Sequence, residues 1–519
     1  FRQTQLGEWS QVVNRLQGAL TEYLHQSAPS SFDYLADNAG LVEARRIQIQ
    51  ALQAQSAGDF PEAIRLYKQA VSLQPDCLGA WRGLAQLYLT TNQLLDAFDT
   101  IVPLVEKYPD DILLRQLFGR LCLRLQDYAL AESQFKLVLE ELPESLSALA
   151  GLLDVCLAKN DLVAAKDISL KMLKINPHSD VAMMATATLC AANGQYDEEL
   201  DLLNKLVERS PENKTHRYNR SRAFLRQAKY GLGWEEYENR FGTILERSKL
   251  QLPIWQGEAV DTLVVVAEQG LGDTVMFSRF LELTKLHAKT VIFACQPELV
   301  ALMAKSLSIP VINVEELLSV NADAQCFLLS LPYILKLDKP ELFECQTILH
   351  AQQERLAYWR EVIHSVESRI KIGVAFASSV AHSTEFCPSF RRSCDPGFFA
   401  DLHTLPNLSI FNLQYGQDNP FPEHWINAQA LIRDFEDTVA LIDQLDLVIT
   451  VDTVIAHIAG GLNKPCVLLL PYAADWRWMT ETAVTDWYPS VFLFRQNAPG
   501  DWLSAVNAAK YFIKNAYTI

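Results

Sequence analysis

Five prolines recur every 34 residues along the first half of the chain. They are Pro75, Pro109, Pro143, Pro177 and Pro211. A period of this length is typical of stacked helix–turn–helix units. Because proline lacks an N–H and its ring clashes with the preceding turn, each of these residues is expected to end the second helix of its unit. The spacing therefore predicts an all-α solenoid over residues 44–242, with five good repeats and one degenerate repeat.

The turn between the two helices of a unit falls at one recurrent position. It is occupied mostly by residue types that tolerate a left-handed backbone. These are Gly58, Asn92, Asn160 and Gly194, with Gln126 as the exception. Residues 1–43 precede the first good repeat and are predicted to form a helical cap, because the end of a solenoid needs a different outer face.

A solenoid of this kind offers a concave groove. The groove suits the docking of a protein or peptide, but a repeat region can equally serve as a spacer or a dimerisation arm. Repeats by themselves do not identify a reaction.

Charge and hydropathy argue against two classes of partner. The net charge is -17 and the isoelectric point is near 5.1, whereas binding to a nucleic-acid backbone needs clustered Lys and Arg. No apolar run reaches the ~20 residues that span a bilayer, so no transmembrane segment is expected. The ten cysteines include no Cys-x-x-Cys pair. We therefore expect reduced thiols, no metal site and a cytoplasmic protein.

After residue 242 the pattern changes from helical repeats to short apolar runs separated by helical segments. The runs are LVVVA (263–267), VIFAC (291–295), IKIGVAFA (370–377), LSIFNLQ (408–414), LVITVD (447–452) and CVLLLP (466–471). Buried strands that alternate with helices indicate parallel sheets. We predict two Rossmann-like α/β halves, residues 243–356 and 357–519, with ligand sites beyond the carboxyl ends of the strands.

The first candidate motif is EQGLGDTVMFSRF (268–280), which directly follows an apolar run. Gly270 and Gly272 allow tight backbone geometry at a strand-to-helix turn. Asp273 stands where the helix opens. It is either a helix N-cap or a general base that takes a proton from an acceptor hydroxyl.

The second motif is VDTVIAHIAGGLNKP (451–465), at the next strand-to-helix transition of interest. Asp452 and Thr453 end a strand and begin a helix, and His457 follows on that helix. The N-terminus of a helix presents free N–H groups and a partial positive charge, which suit a diphosphate. The alternative is that Asp452 caps the helix and His457 is a core residue.

Two further motifs carry cationic and aromatic side chains. FRRS (390–393) includes Arg392, which could neutralise a leaving phosphate without a metal; adjacent arginines can also be ordinary surface charges. PYAADWRWMT (471–480) includes Trp476, which could wall a base or sugar pocket or could be a core aromatic.

In this order, the motifs resemble those of a known bacterial family. The chain resembles tetratricopeptide-repeat proteins whose C-terminal domain is similar to the ADP-heptose heptosyltransferases, and the resemblance covers nearly all of the chain after residue 44. The quoted markers are GWEEYENRF (233–241), IWQGE (254–258), AEQGLGDTVMFSR (267–279), FRRS (390–393), VDTVIAHIAGGLNKP (451–465) and DWRW (475–478). The resemblance implies a GT-B fold, with the donor nucleotide sugar in the C-terminal half and the acceptor toward the N-terminal half.

The resemblance also implies roles for individual residues. Asp273 matches the family's proposed catalytic base, and Arg392 falls near the basic residue that offsets the diphosphate charge. The donor contacts that we predict are Gly270, Gly272, Gln414, Asp452, Thr453, His457 and Trp476. Val454 and the Ser378-Ser379 pair depart from the family pattern, so the resemblance does not imply ADP-heptose as the donor.

Two classes of function are consistent with these observations. The first is a metal-independent, inverting glycosyltransferase, which moves a sugar from a nucleotide-diphosphate donor to a hydroxyl or amide of a protein recruited by the repeats. The second is a non-catalytic scaffold whose degenerate transferase domain serves binding or assembly. A glycan or lipopolysaccharide-type acceptor is a further alternative. The sequence is also consistent with a homo-oligomer.

Overall fold

The computed structural model describes residues 38–159, 161–241, 252–339, 347–378, 392–404, 407–414, 421–480 and 482–517. The chain forms two compact units, one up to Leu152 and one from Leu153 onward. Each is described by itself below. Of the predicted N-terminal cap, residues 1–37 lie outside the described residues. The first described helix begins at Asn38.

The first unit is built from helical hairpins. Its helices are α1 (Asn38–Ala57), α2 (Phe60–Leu73), α3 (Leu78–Thr90), α4 (Leu94–Lys107), α5 (Ile112–Arg124) and α6 (Tyr128–Glu141). Helix α7 (Leu146–Ala158) runs from the first unit into the second. Helices α4, α5 and α6 each begin and end 34 residues after their counterparts in the preceding repeat, which are α2, α3 and α4, as the spacing of the prolines predicts.

The second unit begins with the remaining repeats. Its repeat helices are α8 (Leu162–Ile175), α9 (Asp180–Ala192), α10 (Tyr196–Arg209), α11 (Lys214–Arg226) and α12 (Tyr230–Tyr237), followed by a 3-10 turn, Glu238–Arg240. In both units each of the five recurrent prolines directly follows the C-cap of the second helix of its repeat. The caps are Gln74, Tyr108, Leu142, Asn176 and Ser210. The predicted role of the prolines as helix stops is confirmed.

The turn between paired helices is left-handed whatever residue occupies it. The φ angle is +80° at Gly58, +58° at Asn92 and +72° at Gly194. Gln126, the exception in residue type, adopts +67°, and Ala228 of the last repeat adopts +55°. The hairpin geometry therefore imposes this conformation even where a side chain makes it costly. Asn160 lies outside the described residues.

The N-terminal α/β half is a four-stranded parallel sheet. Its strands are β1 (Val260–Val266), β2 (Ala288–Cys295), β3 (Val311–Asn313) and β4 (Ala324–Phe327), in the spatial order β3-β2-β1-β4. The associated helices are α13 (Leu271–Phe277), α14 (Leu281–Thr284), α15 (Pro297–Ser306) and α16 (Leu331–Ile334). Strand β1 lies inside the sheet and is almost wholly apolar at its carboxyl end, because neighbours cover it on both edges.

The C-terminal half is a six-stranded sheet in the order β6-β5-β7-β8-β10-β9. Its strands are β5 (Ile370–Ala375), β6 (Leu408–Asn412), β7 (Leu447–Val451), β8 (Cys466–Leu470), β9 (Val484–Thr485) and β10 (Tyr488–Arg495). All neighbours run parallel except β9, a two-residue antiparallel edge strand. The helices are α17 (Gln353–His364), α18 (Phe435–Gln444), α19 (Val454–Gly461) and α20 (Trp502–Ala516).

The predicted fold class, a helical solenoid followed by two Rossmann-like halves, is confirmed. The last repeat helices share one hydrophobic core with both halves: Tyr218, Trp234 and Tyr237 lie in the same buried cluster as Trp476 and Trp487. A cut at the predicted boundary after residue 242 would therefore divide a packed core. The predicted domain bounds themselves stay a prediction.

None of the helices that the structure describes is both long enough and apolar enough to cross a membrane.

Candidate functional site

Asp273 lies at the start of helix α13, in the loop that leaves the carboxyl end of β1. The backbone N–H of Gly270, the N-cap residue, donates to Asp273 Oδ2 at 2.9 Å. The preceding residue, Gln269, has a φ of +62° and is held by a hydrogen bond from its side chain to the Tyr237 hydroxyl at 3.1 Å. Asp273 is therefore not the N-cap that the sequence allows but the third residue of the helix, whose side chain accepts from the N-cap N–H. This contact uses only one carboxylate oxygen.

Arg477 occupies the second oxygen of Asp273. Its guanidinium forms an ion pair with Oδ1 of Asp273 and a second one, at 2.6 Å, with Oδ1 of Asp475. Arg477 belongs to a short 3-10 turn, Trp476–Trp478, that follows β8. The two α/β halves therefore meet through a charged contact at the candidate base.

The last repeat extends this contact. Arg222, on helix α11, lies 3.8 Å from Oδ2 of Asp475. We call Arg222, Asp475, Arg477 and Asp273 the ion chain. Burial would raise the pKa of Asp475, but Arg477 and Arg222 outweigh it and lower that pKa to about 2. Asp475 is therefore charged at any physiological pH, and both arginines stay fixed by it.

His457, from the second sequence motif (451–465), lies at the same place. A Cβ atom placed on Gly272 would lie 2.7 Å from Cδ2 of His457, so only glycine lets helices α13 and α19 approach this closely. The imidazole Nδ1 is 3.0 Å from the Tyr488 hydroxyl, and the ring stacks on Trp478 at 5.3 Å between centroids. The structure thus brings together Gly272, Asp273 and His457, from two motifs far apart in sequence.

Burial determines the protonation state of His457. The residue is 4% exposed. Burial lowers its pKa to about 3, against an opposing attraction from Asp273. The imidazole is therefore neutral at physiological pH, and it adds no positive charge beside Asp273.

Asp452 and Arg392 form a second pair at the carboxyl edge of the C-terminal sheet. Asp452 follows β7 directly and is 6% exposed. Arg392 Nη1 lies 3.4 Å from its Oδ2. Thr453 caps helix α19, since its hydroxyl accepts a hydrogen bond from the Ile455 N–H at 3.2 Å. Arg391, the other arginine of the motif, lies outside the described residues.

Gln414 supports the loop that leaves β5. Its Oε1 accepts hydrogen bonds from the backbone N–H groups of Phe376 and Ala377, at 3.0 Å and 2.8 Å. Its Nε2 donates to the Ala377 carbonyl at 3.1 Å. These contacts shape the strand end beside the candidate donor site, while a direct contact of Gln414 with a donor stays a prediction.

Trp476 lies in an aromatic core. It is 2% exposed, and its ring is 5.6 Å from Trp234, 5.9 Å from Tyr237 and 6.3 Å from Trp487, between centroids. The Arg477 guanidinium lies over its face at 4.4 Å. The structure therefore gives Trp476 the contacts of a core residue, one of the two alternatives that the sequence leaves open, and places it directly beneath Arg477.

A buried ion pair holds the loop before Asp273. Arg240, at the end of the last repeat, is 0% exposed and contacts both carboxylate oxygens of Glu268, at 2.6 Å and 3.0 Å. It also donates to the Ser330 hydroxyl at 2.7 Å. Burial disfavours the charge of Arg240, but Glu268 and Glu238 outweigh it and raise its pKa.

The sequence motifs contain both partners of two of these ion pairs, but they do not predict that the partners meet. Arg240 and Glu268 each stand inside a quoted motif, as do Asp475 and Arg477, but single residues carry no signal of their partners. Arg222 stands in no motif. Its only sequence signal is its place on the first helix of a degenerate repeat.

Comparisons with known proteins agree with the repeat region. A tetratricopeptide-repeat family model matches residues 47–121. Protein FlbA of Caulobacter vibrioides is 24% identical over 498 residues, which cover 88% of this chain and 81% of FlbA.

Solved structures resemble each half of the chain at low identity. A glycosyl transferase family 9 protein of Veillonella parvula has a TM-score of 0.35 at 14% identity, over 51% of this chain and 91% of its own. The iron-containing dodecameric glycosyltransferase TibC of enterotoxigenic E. coli has 0.34 at 14% identity, over 49% and 67%. A tetratricopeptide-repeat protein of Thermus thermophilus has 0.32 at 19% identity, over 35% and 99%.

The repeat match and the helix spacing of 34 residues agree, and the two parallel sheets follow the repeats in one chain. The chain therefore carries tetratricopeptide repeats, matched over residues 47–121, followed by two Rossmann-like α/β halves, each with a sheet of mainly parallel strands.

Proposed function

We propose that this protein is a glycosyltransferase. It moves a sugar from a nucleotide-diphosphate donor to a hydroxyl or amide of a protein acceptor that the repeats recruit. The observation that carries the proposal is the meeting of two motifs: Gly272 of one half packs closely against His457 of the other half, and the charge of Asp273, the next residue, acts on the pKa of His457. In the proposed reaction, this carboxylate between the two Rossmann-like halves is the general base.

Asp273 would act on the acceptor. Its carboxylate is 15% exposed and is fixed by the Gly270 N–H and by Arg477. Each carboxylate oxygen has two lone pairs, so a further proton can be accepted while both contacts stay in place. A base held in one orientation on a helix end loses little entropy when the acceptor binds.

Arg392 and helix α19 would act on the donor. Arg392 lies beside Asp452, at the carboxyl edge of the sheet and next to the N-terminus of α19. A guanidinium and the N–H groups of a helix end both stabilise phosphate charge. His457 lies on helix α19 and is neutral. The positive charge available to a diphosphate would therefore come from Arg392 and the N-terminus of the helix.

The proposed reaction is a single displacement. The acceptor O–H or N–H bond breaks as its proton passes to Asp273, and a bond forms between the acceptor atom and the anomeric carbon. The bond from that carbon to the diphosphate oxygen breaks, and its electron pair leaves on the nucleoside diphosphate beside Arg392. An attack of this kind inverts the anomeric carbon.

A scaffold without catalysis is the second candidate. It is favoured by the occupation of both Asp273 oxygens, one by the Gly270 N–H and one by Arg477. In that case the ion chain would serve only to join the halves and the last repeat. The cytoplasmic location and the identity of the donor stay predictions under either function.

Donor binding and turnover separate the two candidates. We expect that at least one nucleotide sugar raises the melting temperature of the full chain and is consumed, and that Asp273→Asn abolishes consumption while the thermal shift remains. The side-chain oxygen of asparagine can still accept the Gly270 N–H, so helix α13 should persist.

Asp501→Asn is the matched control. Asp501 caps a helix of the second unit, α20, through the Ser504 N–H at 3.1 Å, but it lies in none of the site contacts. It should leave turnover unchanged. Near-normal turnover of the Asp273→Asn variant would give Asp273 a structural role only, and the absence of any nucleotide-dependent shift would reject the donor site.

A further inference from the structure

The first helix of each hairpin presents the same repeat position to the next first helix. In the first unit α1 contacts α3, and α3 contacts α5. A Cβ atom placed on Gly79 of α3 would lie 2.8 Å from Nε2 of Gln48 of α1. Gln116 of α5, two repeats after Gln48, accepts a hydrogen bond from the Ser147 hydroxyl of α7 at 3.0 Å. These contacts align the first helices side by side.

The aligned helices share one polar face. Side chains four residues apart lie on the same side of a helix. The face therefore includes the position of Gln48 in each repeat and the position four residues later. We call these side chains the first-helix face: Gln48, Leu52, Arg82, Gln86, Gln116 and Arg120.

Positive charge is concentrated in the helices that form this face. Together α1, α3 and α5 hold six arginines, no lysine and one glutamate, a net charge of +5. The second helices, α2, α4 and α6, hold four cations and seven acidic residues, a net charge of -3. The whole chain carries -17. The first helices of this unit are thus a positive element of an acidic protein.

Arg120 brings an uncompensated charge onto the face. It is half-buried, and no carboxylate among the residues that the structure describes pairs with it. By contrast, Arg82 on the same face pairs with Asp111, and Arg46 of α1 pairs with Glu43. A guanidinium can donate two parallel hydrogen bonds to a carboxylate. An incoming carboxylate can therefore bind Arg120 without first breaking an ion pair.

The other side chains of the face suit a polypeptide. Gln86 and Gln116 each supply an amide, which can donate to and accept from peptide groups. Leu52 is 48% exposed on the face, and Leu113, three residues before Gln116 on the same side of α5, is 51% exposed. Exposed leucines give apolar contacts to a peptide, whereas a nucleic-acid backbone needs clustered Lys and Arg.

We propose that the first-helix face binds an acidic polypeptide segment of a partner protein, with carboxylates directed at Arg120 and apolar side chains directed at the exposed leucines. The proposal specifies the partner that the repeats recruit. It rests on that part of the proposed function and not on catalysis.

Peptide binding to the full chain, measured by fluorescence anisotropy without a nucleotide sugar, tests this face. The probe is a fluorescent peptide of Glu, Leu and Ser, and two comparison peptides carry Gln or Lys in place of every Glu. We expect the acidic peptide to bind about tenfold more tightly than either comparison peptide. Its affinity should fall as the salt concentration rises, because salt screens exposed charges. These two measurements need no variant.

Arg120→Glu reverses the charge on the face and should weaken binding of the acidic peptide about tenfold. Arg120→Lys keeps the charge and should retain most of the affinity. Arg65→Glu is the matched control, because Arg65 is an exposed arginine of the second helix α2 in the same unit. It changes the net charge equally and should leave binding unchanged. Melting curves by circular dichroism check that the variants are folded.

Three results would overturn the proposal. They are equal binding of the three peptides, no binding of the acidic peptide by the unchanged protein, and equal weakening by Arg65→Glu and Arg120→Glu. Tighter binding of single-stranded oligothymidylate than of the acidic peptide would also reject a polypeptide as the partner.

The face and the transferase fail in different ways, since Arg120 belongs to the first unit and Asp273 to the second. Acidic-peptide binding that depends on Arg120, without any consumption of nucleotide sugar, would keep the face and reject the transferase. Consumption that depends on Asp273, without preference for the acidic peptide, would keep the transferase and reject the face.

Discussion

The repeats of the first unit and those of the second have the same hairpin geometry but different side-chain contacts. In α2 to α6 the buried residues are those that a stack of hairpins needs, such as Ala63, Ala97 and Ala131. In α11 and α12 they are Tyr218, Trp234 and Tyr237, which share a core with both α/β halves. The degenerate sequence of the last repeat therefore reflects a different packing partner.

The same contrast holds for the ion pairs. Arg65 and Glu62 of the first unit form an exposed pair within one helix, 60% and 40% exposed. Arg240 and Glu268 form a buried pair between the last repeat and the loop before Asp273. The pair Arg65–Glu62 lies on a helix surface, whereas the pair Arg240–Glu268 connects the last repeat to the loop at the candidate site.

Breaking the buried pair should have the largest effect. Arg240→Met leaves the Glu268 carboxylate buried without its cation, which typically costs about 3–5 kcal/mol of unfolding free energy. Urea unfolding followed by tryptophan fluorescence measures it, because all described tryptophans except Trp81 lie in the second unit.

Arg65→Met is the paired control, and it should leave the unfolding curve unchanged within error because its ion pair is exposed. Its unfolding is followed by circular dichroism, because Arg65 lies in the first unit. A small effect of Arg240→Met, similar to that of Arg65→Met, would show that the last repeat is not fastened to the site by this pair.

Acid sensitivity should also differ between the units. The folded pKa of His457, about 3, lies below its usual 6.5, so the unfolded chain binds a proton that the folded chain does not. The free energy of unfolding should therefore fall as the pH drops below about 6.5, by about 2 kcal/mol at pH ~5. Melting curves at pH ~7.5 and pH ~5 measure this loss.

His457→Gln should flatten that dependence, since glutamine does not titrate. Asp475 does not compete in this range, because its stabilising charge is lost only as the pH falls from about 3.8 toward 2. The described part of the first unit, residues 38–152, contains no histidine. If the free energy of unfolding of the variant depends on pH as before, a group other than His457 causes the acid sensitivity.

Much of the fold could be predicted from the sequence because its signals are local. The prolines fix helix ends within their own repeats, and apolar runs followed by glycine or Asp-Thr turns mark the strands that carry the motifs. The partners could not be predicted, because Arg477 lies 204 residues from Asp273 and Arg240 lies 28 residues from Glu268. No periodicity relates such residues. Trp476 shows the same limit: it stands in a sequence motif, but its aromatic packing partners come from two other segments, helix α12 and the residues around Trp487.

The smallest expected effect concerns the regular repeats. Gln126 has a φ of +67°, where glycine is strain-free and a side chain costs roughly 1 kcal/mol. Gln126→Gly should therefore stabilise the first unit by up to about 1 kcal/mol, less the extra entropy of glycine in the unfolded chain. Circular dichroism during urea unfolding measures the change. Gln116→Gly, inside helix α5, should instead destabilise the first unit by about 1 kcal/mol. If Gln126→Gly does not stabilise the first unit, the turn is unstrained.

Hydrogen exchange of the full chain, read peptide by peptide, tests the central claim that the last repeats belong to the same cooperative unit as the two α/β halves. The account predicts that amides of α11 and α12 share the opening free energy of β1 and β7, because they share one core. It also predicts that all of these segments lose protection together in the Arg240→Met variant. Exchange of α11 and α12 in step with α2 to α6, with β1 and β7 still protected, would contradict the claim.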